Sequence, residues 1–137
     1  MGQRIYAPLK GGVHRGLVVL FNRVVLGASG AVSSQDSAKD AGFVVTKTAT
    51  KTGRYTLTFD KNYNRVEFID ARVIGADDSA YTTAKGIDFF LRDDDVGRGA
   101  GDGTIEIQFA RSDTEADAEI EDSREILIMA WVRDASL

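Results

Sequence analysis

Hydrophobic and polar residues alternate with a period of two through residues 42–73, GFVVTKTATKTGRYTLTFDKNYNRVEFIDARV. In residues 54–59 every second position is aromatic or aliphatic, and the positions between carry Arg or Thr. This alternation is typical of an antiparallel strand with one buried face. Residues 43–48 alternate in a similar way, and Gly53 marks the turn between the two runs. The segment therefore predicts a meander of three consecutive strands, the third being residues 66–73.

The third strand changes phase along its length. Val66 and Phe68 share one set of alternate positions, whereas Ile69, Ala71 and Val73 share the other. One extra residue moves every later side chain to the opposite face, so a β-bulge near residues 68–69 explains the switch. The alternative is that both faces of this strand are partly covered.

Residues 16–26 and 125–133 are apolar on both sets of alternate positions for much of their length. Such strands are typical of the centre of a sheet or of an interface, because both faces are shielded from water. A helix is the competing interpretation for residues 16–26. The β-branched valines of this run and the flanking Gly16 and Gly27 favour a strand.

The remaining segments predict two further strands and several connections. Residues 87–92 and 104–110 alternate as strands, and residues 27–41 form a small, polar loop with one short strand around Val32. Residues 93–103 contain four glycines and predict a flexible acidic loop, and residues 111–124 are an acidic connection. Seven or eight short strands without a long helix predict an all-β fold, either an antiparallel β-sandwich or a compact barrel.

The length of 137 residues corresponds to one domain. We divide the chain into an extended N-terminal arm, residues 1–15, and a single β-domain, residues 16–137. The arm contains Pro8, the only proline, together with apolar residues that a free tail would not need. It can either pack on its own domain or reach a neighbouring subunit.

Composition restricts the classes of function. The formal net charge is −4, which argues against nucleic-acid binding because that binding requires a basic face. The chain contains no cysteine, so we expect neither a disulfide framework nor a Cys-ligated metal. No apolar run approaches the roughly 18 residues of a membrane helix, and no signal peptide is evident, so we expect no membrane span.

The sequence offers no convincing reactive centre. His14 is the only histidine and lies in the arm, and no serine occupies a Gly-x-Ser-x-Gly elbow. Asp93, Asp95 and Asp102 are weak candidates for a Ca²⁺ site, but EF-hand spacing is not met and a solvated loop is the simpler interpretation. Paired carboxylates of this loop could serve a glycosidase, in which case changing Asp93 or Asp95 would abolish hydrolysis. We predict no enzyme, and therefore no catalytic residue, no cofactor and no metal.

Several stretches of the chain resemble one known class of protein. They are SSQD at residues 33–36, the hairpin GFVVTKTATKTGRYTLTF at residues 42–59, the opening RIYAPLKG at residues 4–11, and the ending WVR at residues 131–133. With these motifs the chain resembles small virion structural proteins of tailed bacteriophages over most of its length. The resemblance implies a non-enzymatic particle component, in particular a head decoration, or cement, protein. Such proteins commonly form trimers over capsid symmetry axes, with terminal arms that cross capsomer boundaries.

From this resemblance we expect a capsid decoration protein on the exterior of the virion. Its expected partners are the major capsid protein and further copies of itself in a homotrimer, with no nucleic acid and no membrane. The expected interface combines the arm with the strands that are apolar on both faces, namely Arg4, Ile5, Tyr6, Leu9, His14, Leu17, Val19, Phe21 and Trp131. The alternative is a tail or fibre component that binds the host or a glycan through Tyr81 and residues 93–103.

Overall fold

The computed structural model describes residues 4–6, 16–74, 87–94, 96, 103–111 and 124–134. In chain order their elements are β1 (Arg4–Tyr6), β2 (Leu17–Leu26), a 3-10 turn (Ala28–Gly30), β3 (Val32–Gln35), α1 (Ala38–Ala41), β4 (Phe43–Lys47), β5 (Arg54–Phe59), β6 (Arg65–Ile74), β7 (Ile87–Asp94), β8 (Thr104–Arg111) and β9 (Glu125–Arg133). The strands form two antiparallel sheets that pack together, so the prediction of an all-β sandwich is confirmed.

The two sheets, which we call sheet A and sheet B, are each four strands wide. In sheet A, β9 lies between β2 and β6, which confirms that this strand is central. The other edge of β2 pairs with β1 at residues 18–20 and with β3 at residues 24–26, so these two short strands share one edge. Sheet B has the order β4-β5-β8-β7. The predicted short strand around Val32 is β3, and residues 4–6 of the arm pair with the chain's own β2.

The predicted three-strand meander is wrong in its last strand. β4 and β5 form the expected hairpin, and Gly53 adopts φ 63° in its turn. β6, however, pairs with β9 in sheet A and not with β5, so the chain crosses between the sheets after Phe59. Tyr63 in this crossing is buried against Phe59, with 5.7 Å between the ring centroids in an edge-to-face arrangement. The connection therefore contributes to the core and does not turn back as a hairpin.

β6 contains a bulge, as predicted, but the bulge precedes Phe68. Val66 pairs with Val132 and Phe68 pairs with Trp131, so Glu67 is the extra residue. Val66 consequently faces the core together with the later apolar residues of the strand. The predicted grouping of Val66 with Phe68 is wrong, because the inserted residue turns Phe68 to the outer face of sheet A.

The core lies between the sheets and is made by alternate residues of each strand. In β2 and β9 the even-numbered residues are fully buried and face sheet B, so the odd-numbered residues form the outer face of sheet A. The largest fully buried side chains that meet in this core are Leu20, Leu26, Phe43, Tyr55, Leu57, Ile105, Ile107, Phe109, Ile126 and Ile128.

β7 is longer than the sequence pattern predicts. It runs through Asp94, so Asp93 lies in a strand, in register with Glu106 of β8, and not in the predicted loop. A shift of register between Leu91 and Asp93 accompanies this extension. The backbone ladder to β8 thus continues past the last apolar residue, and side-chain alternation alone does not reveal such a continuation.

Candidate interaction surface

The outer faces of the two sheets differ in polarity. We call the outer face of sheet A the apolar face, and it is formed by Val19, Phe21, Phe68, Leu127, Met129 and Trp131. We call the outer face of sheet B the polar face, and it is formed by Thr46, Arg54, Thr56, Thr58, Glu106 and Gln108. Both sheets bury their inner faces against each other. The apolar face has more aromatic and aliphatic side chains away from the core than the polar face, which has Val44 and Phe90.

One row of residues crosses the apolar face from edge to edge. Phe68 of β6 lies opposite Trp131 of β9, Trp131 lies opposite Val19 of β2, and Val19 lies opposite Ile5 of β1. Phe68 is 53 % exposed, Trp131 is half-buried and Val19 is buried. The row thus becomes steadily more exposed toward the β6 edge, where Phe68 is available to a partner.

A second row runs beside the first and is partly apolar. Phe21 of β2 lies opposite Met129 of β9, which lies opposite Asp70 of β6. Both apolar side chains of this row are half-buried. The apolar face therefore consists of these two adjacent rows and of Leu127 in the next row, where it lies between Arg23 of β2 and Arg72 of β6.

The indole nitrogen of Trp131 is buried. Among the described residues no acceptor lies within hydrogen-bonding distance of Nε1. A buried N–H without an acceptor is unfavourable by roughly 1–3 kcal/mol. Trp is also one of the residues most enriched among those that dominate binding energy in protein interfaces.

A cluster of charges borders the exposed end of the apolar face. Glu67, the bulged residue, accepts hydrogen bonds from Arg65 Nε at 2.7 Å and Nη2 at 3.1 Å, and from Arg133 Nε at 2.8 Å. These hydrogen bonds, first that from Arg65 and then that from Arg133, hold the pKa of the Glu67 carboxyl below its ordinary value of 4.5. An aromatic centre with a polar margin is the usual composition of a protein–protein interface.

Polar groups on the polar face contact each other. Arg54 Nε donates to Gln108 Oε1 at 3.1 Å, and Arg54 Nη1 lies 3.5 Å from Glu106 Oε1. Gln108 is buried, and its Nε2 donates to the carbonyl oxygens of Thr52 at 2.8 Å and Phe109 at 2.9 Å. The face also has an exposed apolar residue, Phe90, at its β7 edge. Its interior is thus internally satisfied, which makes it a poorer candidate for a binding surface.

The SSQD motif has a structural role in this fold. Gln35 binds the backbone of β4 twice, because its Nε2 donates to Val45 O at 2.7 Å and its Oε1 accepts from Val45 N–H at 2.7 Å. The side chain of Asn22, which is fully buried, donates to Phe43 O at 3.0 Å and accepts from Asp36 N–H at 3.2 Å. This polar network joins sheet A to the β4 edge of sheet B, so the motif indicates a fold and not a reaction.

The structure brings together only part of the predicted interface. Leu17, Val19, Phe21 and Trp131 lie on the outer face of sheet A, and Ile5 is in register with Val19. Arg4 and Tyr6 belong to β1, whereas Leu9 and His14 lie outside the described residues. The sequence interpretation missed Phe68, Leu127 and Met129. The signal for Phe68 was its place beside the phase switch, but the pattern did not show on which side of it the bulge falls.

The candidate metal ligands are not brought together in the described part of the chain. Asp93 lies in β7, and Asp95 and Asp102 lie outside the described residues, as does Tyr81. Within the described ranges no three His, Asp or Glu side chains are placed to hold a metal ion. No helix in these ranges has the length and apolarity needed to cross a membrane.

Comparisons of the chain with family models, with curated proteins and with solved structures found no match. On one outer face the exposed Phe68 lies beside Trp131, whose indole N–H has no hydrogen bond among the described residues, and on the other face polar groups bind each other.

Proposed function

We propose that this protein is a structural component of a tailed-phage particle, a capsid decoration protein that binds the major capsid protein on the exterior of the head. The observation that carries the proposal is the apolar face, which presents Phe68 and Trp131 on a sandwich whose opposite face is polar apart from Val44 and Phe90. The resemblance of the sequence to small virion structural proteins supports a place for this chain in a phage particle. The apolar face supplies a physical means of attachment to it.

Attachment through this face follows ordinary interface energetics. Burying apolar side chains stabilises a complex by about 25 cal/mol per Å² of apolar surface removed from water. Aromatic side chains at the centre of a contact contribute most of that energy, while a charged margin such as Glu67 and its arginines sets orientation. Many copies on one shell, and self-association into the trimer that the resemblance implies, would make modest individual contacts effective together.

The chain offers a matched pair of residues for testing the proposal. Phe68 is 53 % exposed on sheet A, and Phe90 is 44 % exposed on sheet B. Both Phe68→Ser and Phe90→Ser change an exposed phenylalanine, so we expect each to alter the free energy of unfolding by less than about 0.5 kcal/mol. We expect Phe68→Ser to weaken binding to heads stripped of this protein by about tenfold or more, the equivalent of about 1.4 kcal/mol.

Binding of the two variants to stripped heads is measured by co-sedimentation over a range of protein concentrations. Equal binding by wild type and Phe68→Ser, or loss of binding only in Phe90→Ser, would contradict attachment through the apolar face. Binding of the wild-type protein to purified tails or to glycans, without binding to heads, would contradict the decoration role and favour the tail or fibre alternative. The copy number per particle gives an independent check, because a decoration protein covers the shell whereas a tail component is present in few copies.

A further inference from the structure

We propose that β6 pairs antiparallel with β6 of a second copy of this chain, around a two-fold axis at Ala71, so that sheet A continues from one subunit into the other. In the described ranges β6 pairs with β9 on one side and with no strand on the other. Such an edge strand is a template for another strand, because its outward backbone groups are unpaired. This inference goes beyond the proposed function and does not depend on it.

The hydrogen bonds of β9 show which backbone groups of β6 point outward. Asp134 N–H donates to Gly16 O and Leu26 N–H donates to Arg124 O, both at 2.8 Å, so even-numbered residues of β9 direct their backbone groups to β2. Odd-numbered residues of β9 therefore direct theirs to β6, where beyond the bulge they lie opposite even-numbered residues. It follows that residues 69, 71 and 73 direct their N–H and C=O groups away from β9.

These outward groups fit a pairing centred on Ala71. In an antiparallel pair, opposite residues exchange N–H···O bonds in both directions at every second position. With the axis at Ala71, Ala71 lies opposite Ala71 of the second copy, and Ile69 lies opposite Val73 of the second copy. These are the positions that exchange backbone hydrogen bonds. All three residues have their backbone groups directed toward that edge, so the pairing uses the groups that β9 leaves unpaired.

The side chains around Ala71 are complementary to their own two-fold image. The same register places Asp70 opposite Arg72 of the second copy and Arg72 opposite Asp70, on the outer face of the sheet. It also places Phe68 opposite Ile74, and the reverse. Opposite charges and apolar pairs at facing positions stabilise adjacent strands.

Other two-fold registers lack this complementarity. An axis at Asp70 would place two aspartates opposite each other, and an axis at Arg72 would do the same with two arginines. An axis at Ile69 would set Asp70 against Phe68, and an axis at Val73 would set Arg72 against Ile74. Like charges that face each other destabilise a strand pair, so the register centred on Ala71 is selected.

Exposure and charge along β6 agree with a second copy as the occupant. Phe68 and Ile74, at 53 % and 38 % exposed, are the large exposed apolar residues of sheet A among the described residues, and the pairing sets them against each other. Within one chain Arg72 Nε lies 3.1 Å from Asp70 Oδ2, so the same groups can exchange this exposed contact for one between copies. Charges on an edge strand usually prevent pairing, but here their symmetric arrangement attracts an identical strand.

This contact is isologous and closes after two copies, so it predicts a dimer, whereas the sequence resemblance implies a trimer. We expect analytical ultracentrifugation of the full chain to show reversible association to twice the 14.9 kDa of one chain. Across the contact between two identical chains, Asp70→Arg leaves two facing pairs of arginines, and Arg72→Asp leaves two facing pairs of aspartates. We expect each variant alone to dissociate at least tenfold more readily than wild type.

Mixing the two variants tests the register itself. A heterodimer of Asp70→Arg with Arg72→Asp restores both opposite-charge contacts between the copies, although each chain keeps two like charges within itself. We therefore expect the mixture to form dimers when neither variant does so alone. Arg23→Glu, on a strand inside the sheet, is the matched control, and its dimerisation should equal that of wild type.

Four results would overturn the inference: a monomeric wild-type protein at every concentration, a trimer whose mass the β6 charges do not affect, single variants that dimerise like wild type, or no heterodimer on mixing. Head binding by Asp70→Arg, which keeps Phe68, separates this inference from the proposed function. A monomeric variant that still binds heads would leave the decoration role intact.

Discussion

The buried side chain of Asn22 gives the sharpest stability prediction for this fold. It is fully buried in β2, donates to Phe43 O at 3.0 Å and to Gln35 Oε1 at 3.3 Å, and accepts from Asp36 N–H at 3.2 Å. Asn22→Ala removes the donor to a buried carbonyl and the acceptor of a partly buried N–H. Each group that loses this partner costs about 1–3 kcal/mol, and the lower end applies to the Asp36 N–H because its hydrogen bond is only partly buried.

We therefore expect Asn22→Ala to lower the free energy of unfolding by about 2–4 kcal/mol. That is a large share of the roughly 5–15 kcal/mol that stabilises an ordinary domain. For a domain of this size it corresponds to a fall in Tm of about 6–16 °C. Urea unfolding followed by tryptophan fluorescence gives the free energy, and thermal unfolding followed by circular dichroism gives the Tm.

The neighbouring residue Arg23 is the control, because it is exposed and its ion pair with Glu125, at 3.6 Å, is a surface contact. Arg23→Ala should change the free energy of unfolding by less than about 0.5 kcal/mol. The double variant with Gln35→Ala should lose less than the sum of the two single losses, because both side chains belong to one network. If Asn22→Ala unfolds within about 0.5 kcal/mol of wild type, the network does not hold the two sheets together as argued.

Three further changes test other parts of the fold. Gly42→Ala should lower the free energy of unfolding more than Gly103→Ala. Both glycines have positive φ, but a Cβ on Gly42 would lie 2.7 Å from Leu20 Cδ2, whereas a Cβ on Gly103 meets no atom within 4 Å. Equal losses in urea unfolding would contradict this steric difference. Tyr55→Phe should cost about 1–2 kcal/mol, because the buried hydroxyl donates to a carbonyl of the 3-10 turn at 2.7 Å, and an unchanged Tm would contradict this. Glu67→Gln should be less stable than wild type at pH 7, and the difference in the free energy of unfolding should shrink as pH falls below 4.5. The pKa of Glu67 is lowered in the folded state, so its ionised form stabilises the fold above that pH, and this contribution is lost as pH falls through the folded-state pKa. A difference that stays constant between pH 7 and pH 3 would refute the assignment.

The sequence alone determined most strands and which of their residues face the core. Alternation with a period of two identifies β4, β5 and β8, because one buried face is enough to impose it. Apolar residues on both sets of positions predicted that β9 is either central in its sheet or covered on both faces, and the structure places it between β2 and β6. The phase switch in β6 predicted either an extra residue or partial cover of both faces, and the structure has the extra residue.

Only the tertiary structure decided how these strands pair. Nothing in the local pattern of β6 states whether it continues the hairpin of β4 and β5 or crosses to the other sheet, because alternation reports burial and not the identity of the neighbouring strand. The side on which the bulge falls decided that Phe68 lies beside Trp131 on the outer face. The self-complementary edge of β6 became visible for the same reason, since a free edge is a property of the sheet and not of the strand.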